Sequence, residues 1–279
     1  MDPLSLLWLF FILASLQPAF QRQMLETRRR VALASISRRR SATVISLIHR
    51  QETMALFGFP IVRYIDIDDS EGVLRAIRDT PEGRPIEIIL HTPGGLVLAA
   101  QQIASALADH DGPVTAVVPH YAMSGGTLIA LAADDILIDA HSALGPVDPQ
   151  LGEYSARSLV DVAAMSGEHE DRTLLLADVA RKAIEQVETF TAGLLARHMD
   201  PDRAAAVAKL MATGTWTHDH PLQARELIHL GLPVKVGVPE AERALITLFP
   251  QPRGRPSPVE YVPAAPRRPG LPTKRTAQP

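Results

Sequence analysis

The stretch IEIILHTPGGLVLAA, residues 86–100, decides the fold of this chain. Ile86–Leu90 is a short aliphatic run, which predicts a buried strand, and the Pro-Gly-Gly at 93–95 ends it. A helical pattern follows from about Leu96 to Ala108. The same order then recurs, with a strand at Val114–Val118, a glycine turn at 123–126 and an apolar helix at Thr127–Ala133. Strands that alternate with helices in this way predict a parallel α/β sheet.

The alternation extends over residues 55–249, which we take as the folded domain. Further strands are predicted at Ile61–Ile65, Ile136–Ile138, Thr215–Thr217 and Pro233–Val236. Further helices are predicted from a cap at Asp69 or Ser70 to Arg78, and over Arg172–His198, Pro201–Met211 and Leu222–Leu230. The loop at 145–152 is too rich in glycine and proline for regular structure, and we expect Asp148 to fix its path.

Composition excludes several function classes. The chain has 279 residues and a formal net charge of −3, so it is not the basic protein that general nucleic-acid binding requires. It has no cysteine, which excludes disulfides, zinc–thiolate sites, iron–sulfur clusters and a thiol nucleophile. Its four lysines are Lys182, Lys209, Lys235 and Lys274.

The two ends of the chain differ from the domain. Residues 3–20 carry no charge, which predicts an N-terminal transmembrane anchor over residues 1–21, with an amphipathic or buried helix as the alternative. Residues 22–54 are predicted to be a basic helical stem near the lipid headgroups, and its arginines predict a cytoplasmic catalytic domain. Residues 250–279 are rich in proline and arginine and are predicted to be a disordered tail.

The chemistry is expected at the two glycine loops. Ser124 lies in the turn after the strand at 114–118 and is followed by two glycines and a helix. The loop HTPGG at 91–95 stands in the equivalent place after the preceding strand, where its glycines let backbone N–H groups approach an oxyanion closely. A glycine pair after one strand is ordinarily only a tight turn, so the evidence is the occurrence of two such loops on successive units.

These motifs resemble the Clp/crotonase-fold serine peptidases. That group includes the Clp protease proteolytic subunit, signal peptide peptidase A and the membrane-associated serine dehydrogenase proteinase family, and the chain is most similar to the last of these. The motifs are YIDIDDSEGVLRAI at 64–77, HTPGG at 91–95, HYAMSGGTLIALAAD at 120–134, LGPVDPQLG at 144–152 and GTWTHDHPL at 214–222. The resemblance implies a ββα superhelix with Ser124 as nucleophile and an oxyanion hole formed by Gly125 and by Gly94 or Gly95.

The general base is less well defined by the sequence. Residues 142–146, where the histidine of the Clp subunit would fall, contain none, which argues against a Ser–His–Asp triad placed as in that subunit. The resemblance to signal peptide peptidase A implies a Ser–Lys dyad, for which Lys182 is the candidate. A lysine base must be partly buried so that its pKa falls. Asp178 and Glu185 lie one helical turn away from Lys182, so a solvated ion pair is the alternative.

Other polar residues near the nucleophile are expected to bind substrate. His91, His120 and Tyr121 are the candidates for lining the cleft, although a histidine at a strand end is often structural. The run His218–Asp219–His220 suggests a metal, but no further clustered ligand supports that interpretation, so no metal and no cofactor are expected.

Together with the resemblance, the sequence predicts a membrane-tethered serine endopeptidase that acts on peptides or proteins and contacts lipid through its N-terminal helix. The resemblance also implies a homo-oligomer. Two alternatives remain open. One is a crotonase-like acyl-thioester enzyme, which the lack of an acid in either glycine loop disfavours. The other is a non-catalytic membrane scaffold of the same fold, which solvation of Lys182 or its distance from Ser124 would favour.

Overall fold

The computed structural model describes residues 3–49, 54–56, 59–61 and 64–249. Its helices are α1 (Pro3–Arg40), α2 (Ile67–Arg78), α3 (Val97–Ala108), α4 (Gly125–Leu131), α5 (Ala156–Ala163), α6 (Asp171–Leu195), α7 (Pro201–Ala212), α8 (Ala224–Leu230) and α9 (Glu240–Thr247). Its strands are β1 (Thr43–Ile48), β2 (Met54–Leu56), β3 (Phe59–Ile61), β4 (Ile86–His91), β5 (Val114–Val118), β6 (Tyr121–Ala122), β7 (Asp135–Ile138), β8 (Ala143–Leu144), β9 (Gln150–Leu151), β10 (Tyr154–Ser155), β11 (Leu222–Gln223) and β12 (Val234–Val236).

A parallel sheet in the order β1-β4-β5-β7-β12 forms the centre of the domain, which confirms the predicted α/β class. Every residue of β4 is buried because helices cover both faces of the sheet. Successive side chains point to opposite faces, so Ile88 and Leu90 join the core beneath α3, α4, α6 and α7, whereas Ile89 packs with Ile36 of α1 and Leu245 of α9.

A smaller sheet in the order β11-β8-β6 lies beside the central one and carries the functional loops. Strands β6 and β8 are parallel, with Ala122 opposite Leu144, and β11 is antiparallel to β8, with Leu222 opposite Leu144. The residues after β6, the residues after β8 and the residues before β11 therefore leave this sheet at the same edge.

The predicted basic stem at 22–54 is wrong in its second half, because residues 43–48 form a strand of the folded domain. Strand β1 pairs with β4 along its whole length, from Thr43–Ile86 to Ile48–His91. The arginines of this segment contact protein: Arg40 forms ion pairs with Glu87 and Glu242 at 3.1 and 3.2 Å, and Arg29 Nε donates to Leu248 O at 2.8 Å. The apolar pattern of β1 is too short to distinguish a sheet strand from an extended stem without its partner.

Three local predictions are corrected. In place of a strand at Ile61–Ile65, β3 ends at Ile61, residues 62–63 lie outside the described part, and Ile65 makes a single bridge to Gly95. Helix α2 is capped by Asp66, whose side chain accepts the Asp69 N–H at 3.0 Å while Asp69 accepts the Asp66 N–H in a capping box. Residues 215 and 216 form bends and residues 215–217 contain no strand, and the half-buried Trp216 packs on the core.

The predicted anchor and tail fall largely outside the description. Residues 3–40 form one helix, but the side chains of the segment predicted to be the anchor are not described except for Phe20, and the predicted tail at 250–279 is not described at all. Among the described residues, no helix combines the length and apolar character needed to cross a bilayer, so a membrane helix is not shown.

Candidate active site

Ser124 stands at the point where β6 turns into α4. Its backbone has φ 51° and ψ −116°, and Ser41 is the only other residue besides glycine with a positive φ among those described. Such a conformation is strained for a residue with a side chain, and it persists only where the surrounding structure enforces it. Thr127 ties the segments around this turn together, because its buried hydroxyl lies 2.9 Å from the carbonyl oxygens of both Ala122 and Gly145 and accepts the Gly145 N–H at 3.1 Å.

The loop after β4 packs directly against the Ser124 turn. Met123 N donates to Thr92 O at 2.9 Å, and Thr92 N donates to Tyr121 O at 3.2 Å. Gly94 has φ 100°, and a Cβ atom on it would lie 2.8 Å from both the Met123 carbonyl oxygen and the Ser124 Cβ atom. The approach of the two loops therefore requires glycine at residue 94.

The two loops bring a pair of backbone N–H groups together. In the bridge between Ile65 and Gly95, the bonds run from Ile65 N to Gly94 O and from Leu96 N to Ile65 O, so the N–H of Gly95 itself points away from Ile65. A Cβ atom on Gly125 would lie 3.6 Å from Gly95 N. Neither Gly95 N–H nor Gly125 N–H donates to another described residue, whereas Gly94 N–H donates to Thr92 Oγ1 at 3.2 Å.

A cavity of about 530 Å³ opens in front of these groups. Its lining includes Ser124, Gly95 and Gly125 from the two loops, and it continues along the irregular loop at 147–150. Apolar side chains that include Tyr64, Val97, Leu128, Val147 and Val187 form much of the remaining wall. A mostly apolar cleft with a few polar groups near the serine suits a peptide segment.

A buried carboxylate and a histidine that were not predicted as site residues also line this cavity. Asp148 is 2% exposed, and its Oδ1 atom lies 2.9 Å from His218 Nδ1 while its Oδ2 atom accepts from Gln150 Nε2 at 2.7 Å. The expectation that Asp148 fixes its loop agrees with these bonds. His220, by contrast, stacks on Trp216 with ring centroids 5.5 Å apart, so the two histidines of the 218–220 run have different partners.

Lys182 does not meet the requirement for a shielded base. Its side chain is 67% exposed, and Nζ lies 2.6 Å from Asp178 Oδ2 on the same face of α6. The ion pair with Lys182 lowers the pKa of the Asp178 carboxyl. Lys182 is also absent from the lining of the cavity that contains Ser124. The predicted burial of Lys182 is therefore wrong, because the apolar stripe of α6 that faces the core passes through Ala180 and Val187 and leaves Lys182 on the outer face.

Of the three predicted substrate-binding residues, one lies on the cavity. Tyr121 contributes to the lining, next to Met123 and Ser124. His91 is 5% exposed and packs with its ring centroid 4.4 Å from that of Tyr121, so it supports Tyr121 from behind. His120 is exposed and faces a different depression, together with Asp139 and Arg243. His120 lies in the bend before β6, and its ring packs on the outside of this group, 5.5 Å from the ring centroid of His91 and 5.2 Å from that of Tyr121.

Comparison with known proteins identifies relatives of this chain. The chain is 47% identical over 271 residues to an uncharacterized protein of Methanocaldococcus jannaschii, covering 94% of this chain and 95% of that protein. It is 28% identical over 143 residues to the membrane protein NfeD1b of Bacillus subtilis, covering 50% of this chain and 30% of NfeD1b.

Among solved structures, a mutant of the 1510-N membrane-bound stomatin-specific protease superposes with a TM-score of 0.46 and 21% identity over 68% of this chain and 77% of that one. A family model described as the ClpP-like SDH-type serine proteinase matches residues 1–274, almost the whole sequence. The resemblance of the motifs is thereby confirmed, and the chain belongs to the family of ClpP-like SDH-type serine proteinases.

Proposed function

We propose that this protein is a serine endopeptidase in which Ser124 is the nucleophile and the N–H groups of Gly95 and Gly125 form the oxyanion hole. The observation that carries the proposal is the strained Ser124 backbone beside two N–H groups that have no partner among the described residues. Donors that are already in place when negative charge develops on a carbonyl oxygen are the largest single contribution in acyl transfer.

The reaction has two halves. Ser124 Oγ attacks the scissile carbonyl carbon and gives its proton to a general base, and the carbonyl oxygen becomes an oxyanion held by the two N–H groups. The tetrahedral intermediate expels the amine, which takes up the proton, and leaves an acyl-enzyme. Water then attacks the acyl-enzyme and regenerates Ser124. Gly95 is the better candidate than Gly94 for the first donor, because the N–H of Gly94 is bound to Thr92.

The Ser–Lys dyad with Lys182 stays a prediction from the family resemblance. Exposure of Lys182 and its bond to Asp178 do not support it within one chain. A dyad would therefore need a second copy of the chain to shield Lys182 and to bring it to the cavity.

Membrane tethering and self-association complete the proposal. The uncharged segment at 3–20 with arginines after it supports a single-pass anchor and a cytoplasmic domain, and the partial similarity to a membrane protein agrees with this. Leu174, Leu175 and Val179 of α6 are 48%, 68% and 49% exposed, which supports burial of this face by a second copy of the chain.

Labelling with a fluorophosphonate probe tests the proposed activity. We expect the detergent-solubilised protein to be labelled and Ser124→Ala to be unlabelled. The control is Ser105→Ala, an exposed serine of α3, which should be labelled like the wild type. Hydrolysis of a fluorescent casein, with the new termini mapped by mass spectrometry, should follow the same order. A folded wild-type protein that is not labelled would contradict the proposal and favour a scaffold.

A further inference from the structure

The small sheet brings a third functional segment to the nucleophile. Ser124 follows β6, Asp148 follows β8 and His218 precedes β11, and all three leave the sheet at one edge because Leu222 pairs with Leu144 in an antiparallel register. All three residues line the same cavity. The hydroxyl of Ser124, the carboxylate of Asp148 and the imidazole of His218 therefore come to this edge of the sheet from three separate segments of the chain.

The hydrogen bonds of Asp148 determine how His218 can act. The buried carboxylate cannot donate, so His218 Nδ1 carries the hydrogen in their 2.9 Å bond. The second oxygen of Asp148 is held by Gln150, which prevents rotation of the carboxylate. His218 is 33% exposed, and its Nε2 atom makes no hydrogen bond to any described residue. In the neutral ring this nitrogen is a free acceptor at the cavity wall.

The geometry points to His218 as the general base and acid of this site, with Asp148 as its positioning residue. This inference rests on the proposed function and names the proton carrier that it lacks. His218 Nε2 takes the proton of Ser124 Oγ as the O–C bond forms. It returns that proton to the amine nitrogen as the C–N bond breaks. In deacylation it takes a proton from the attacking water and then returns it to Ser124 Oγ as the acyl–oxygen bond breaks.

The site contains the three groups that activate a catalytic serine. A base lies on the same cavity as the nucleophile, a carboxylate orients the base, and a pair of N–H groups faces the position of the oxyanion. Lys182 has none of these relations in this chain, since it is exposed and its ammonium is bound to Asp178. His218 lies outside residues 142–146, so the missing histidine there does not exclude a triad built from other loops.

The decisive variant is His218→Gln, because glutamine can still donate to Asp148 but cannot carry the proton. We expect the rate of fluorophosphonate labelling to fall by about 100-fold or more in His218→Gln and in His218→Ala. Added imidazole should restore labelling of His218→Ala, since the cavity is open at that position. His220→Ala is the matched control and should be labelled within about threefold of the wild type, whereas Lys182→Ala tests the alternative Ser–Lys dyad. Melting temperatures measured on the same samples show whether each variant is folded.

Failure of the inference and failure of the proposed function give different results. If the wild type is labelled and folded His218→Gln is labelled at the same rate, the histidine is only structural and the inference is overturned. Loss of labelling in Lys182→Ala with full labelling in His218→Gln overturns it in favour of the dyad. Loss of labelling in His218→Ala, with recovery of labelling when imidazole is added, supports the inference. If the wild type itself is not labelled, the proposed function is contradicted, and the inference is overturned with it.

Discussion

The Nδ1 atom of His49 lies 3.0 Å from the Oγ1 atom of Thr92, inside the protein. On its other side His49 Nε2 lies 3.1 Å from Asp69 Oδ2, at the start of α2. The pKa of Asp69 is lowered, because the hydrogen bond and charge of His49 and the capping bonds at Asp66 together outweigh the opposing effect of burial. Thr92 Oγ1 also accepts the Gly94 N–H at 3.2 Å, so a continuous chain of polar contacts runs from Asp69 through His49 and Thr92 to Gly94.

This chain of bonds predicts that Thr92 holds the loop at 91–95 in place. Thr92→Val keeps the shape of the side chain but leaves His49 Nδ1 and Gly94 N–H without their partner, so we expect a loss of about 1–3 kcal/mol in the free energy of unfolding. Labelling of Ser124 should also slow. Chemical denaturation and probe kinetics measure the two effects. Thr80→Val, at the end of α2, is the control, and equal effects in both variants would contradict a specific role for Thr92.

Substitution of Gly94 tests the close approach of the two loops. Gly94→Ala places a Cβ atom 2.8 Å from the Met123 carbonyl and from Ser124 Cβ, at a φ of 100°. We expect labelling of Ser124 to be lost and the melting temperature to fall. Gly83→Ala is the matched control, because φ is 69° there and no atom lies within 4 Å of the new Cβ, so it should cost only the backbone strain of about 1–2 kcal/mol. Full labelling of Gly94→Ala would contradict the proposed oxyanion hole.

The buried carboxylate of Glu87 predicts a pH dependence of stability. Burial is the largest cause of a raised pKa of Glu87, to about 7 from 4.5, while Arg40 opposes the shift and Glu242 adds to it. Between these values the folded state binds more protons than the unfolded state, so the free energy of unfolding falls as the pH rises. The change is about 3 kcal/mol over the full range.

Urea denaturation of the wild type and of Glu87→Gln between pH 4.5 and 8 checks this dependence. Glutamine cannot titrate, so the variant should lose the downward slope and should be the more stable protein at pH 8, where the wild type has both Glu87 and Glu242 near one arginine. Parallel curves for the two proteins would show that Glu87 is not the responsible group.

Single-cysteine variants test the membrane topology, since the chain has no cysteine of its own. With a single-pass anchor and a cytoplasmic domain, a membrane-impermeant maleimide should label Asp2→Cys in intact cells. It should label Ser105→Cys, on the exposed surface of α3, only after the cells are permeabilised. Labelling of Ser105→Cys in intact cells would refute the proposed orientation, and release of the protein by alkaline carbonate would refute the anchor.

If two copies of the chain associate through α6, a charged substitution on the exposed face of this helix should lower the molecular mass of the oligomer. Leu175 is 68% exposed, and replacing it by glutamate places a charge in the proposed contact without disturbing the core. Leu175→Glu should therefore lower the molecular mass measured by light scattering in detergent at an unchanged melting temperature. Val236→Glu is the control on a distant strand, at 57% exposure. An unchanged mass in Leu175→Glu would place the contact elsewhere.

The local pattern of apolar residues was sufficient to predict most of the strands and helices around the central sheet. The aliphatic runs of β4, β5 and β7, and the apolar spacing of α3, α6 and α7, predicted these elements to within a few residues, because burial of a strand or a helix face imposes its period on the sequence. The glycine loops identified Ser124 and the candidates for the oxyanion hole by the same kind of local evidence. The family followed from those motifs and was confirmed over residues 1–274.

Tertiary structure alone decided which distant groups meet. The sequence by itself determined an α/β domain with a serine in the second of two glycine loops. It did not determine that β1 pairs with β4, that Asp148 binds His218 at a separation of 70 residues, or that Lys182 faces water. Pairing of this kind depends on the register of strands and on which face of a helix is covered, and those depend on the packing of the whole domain.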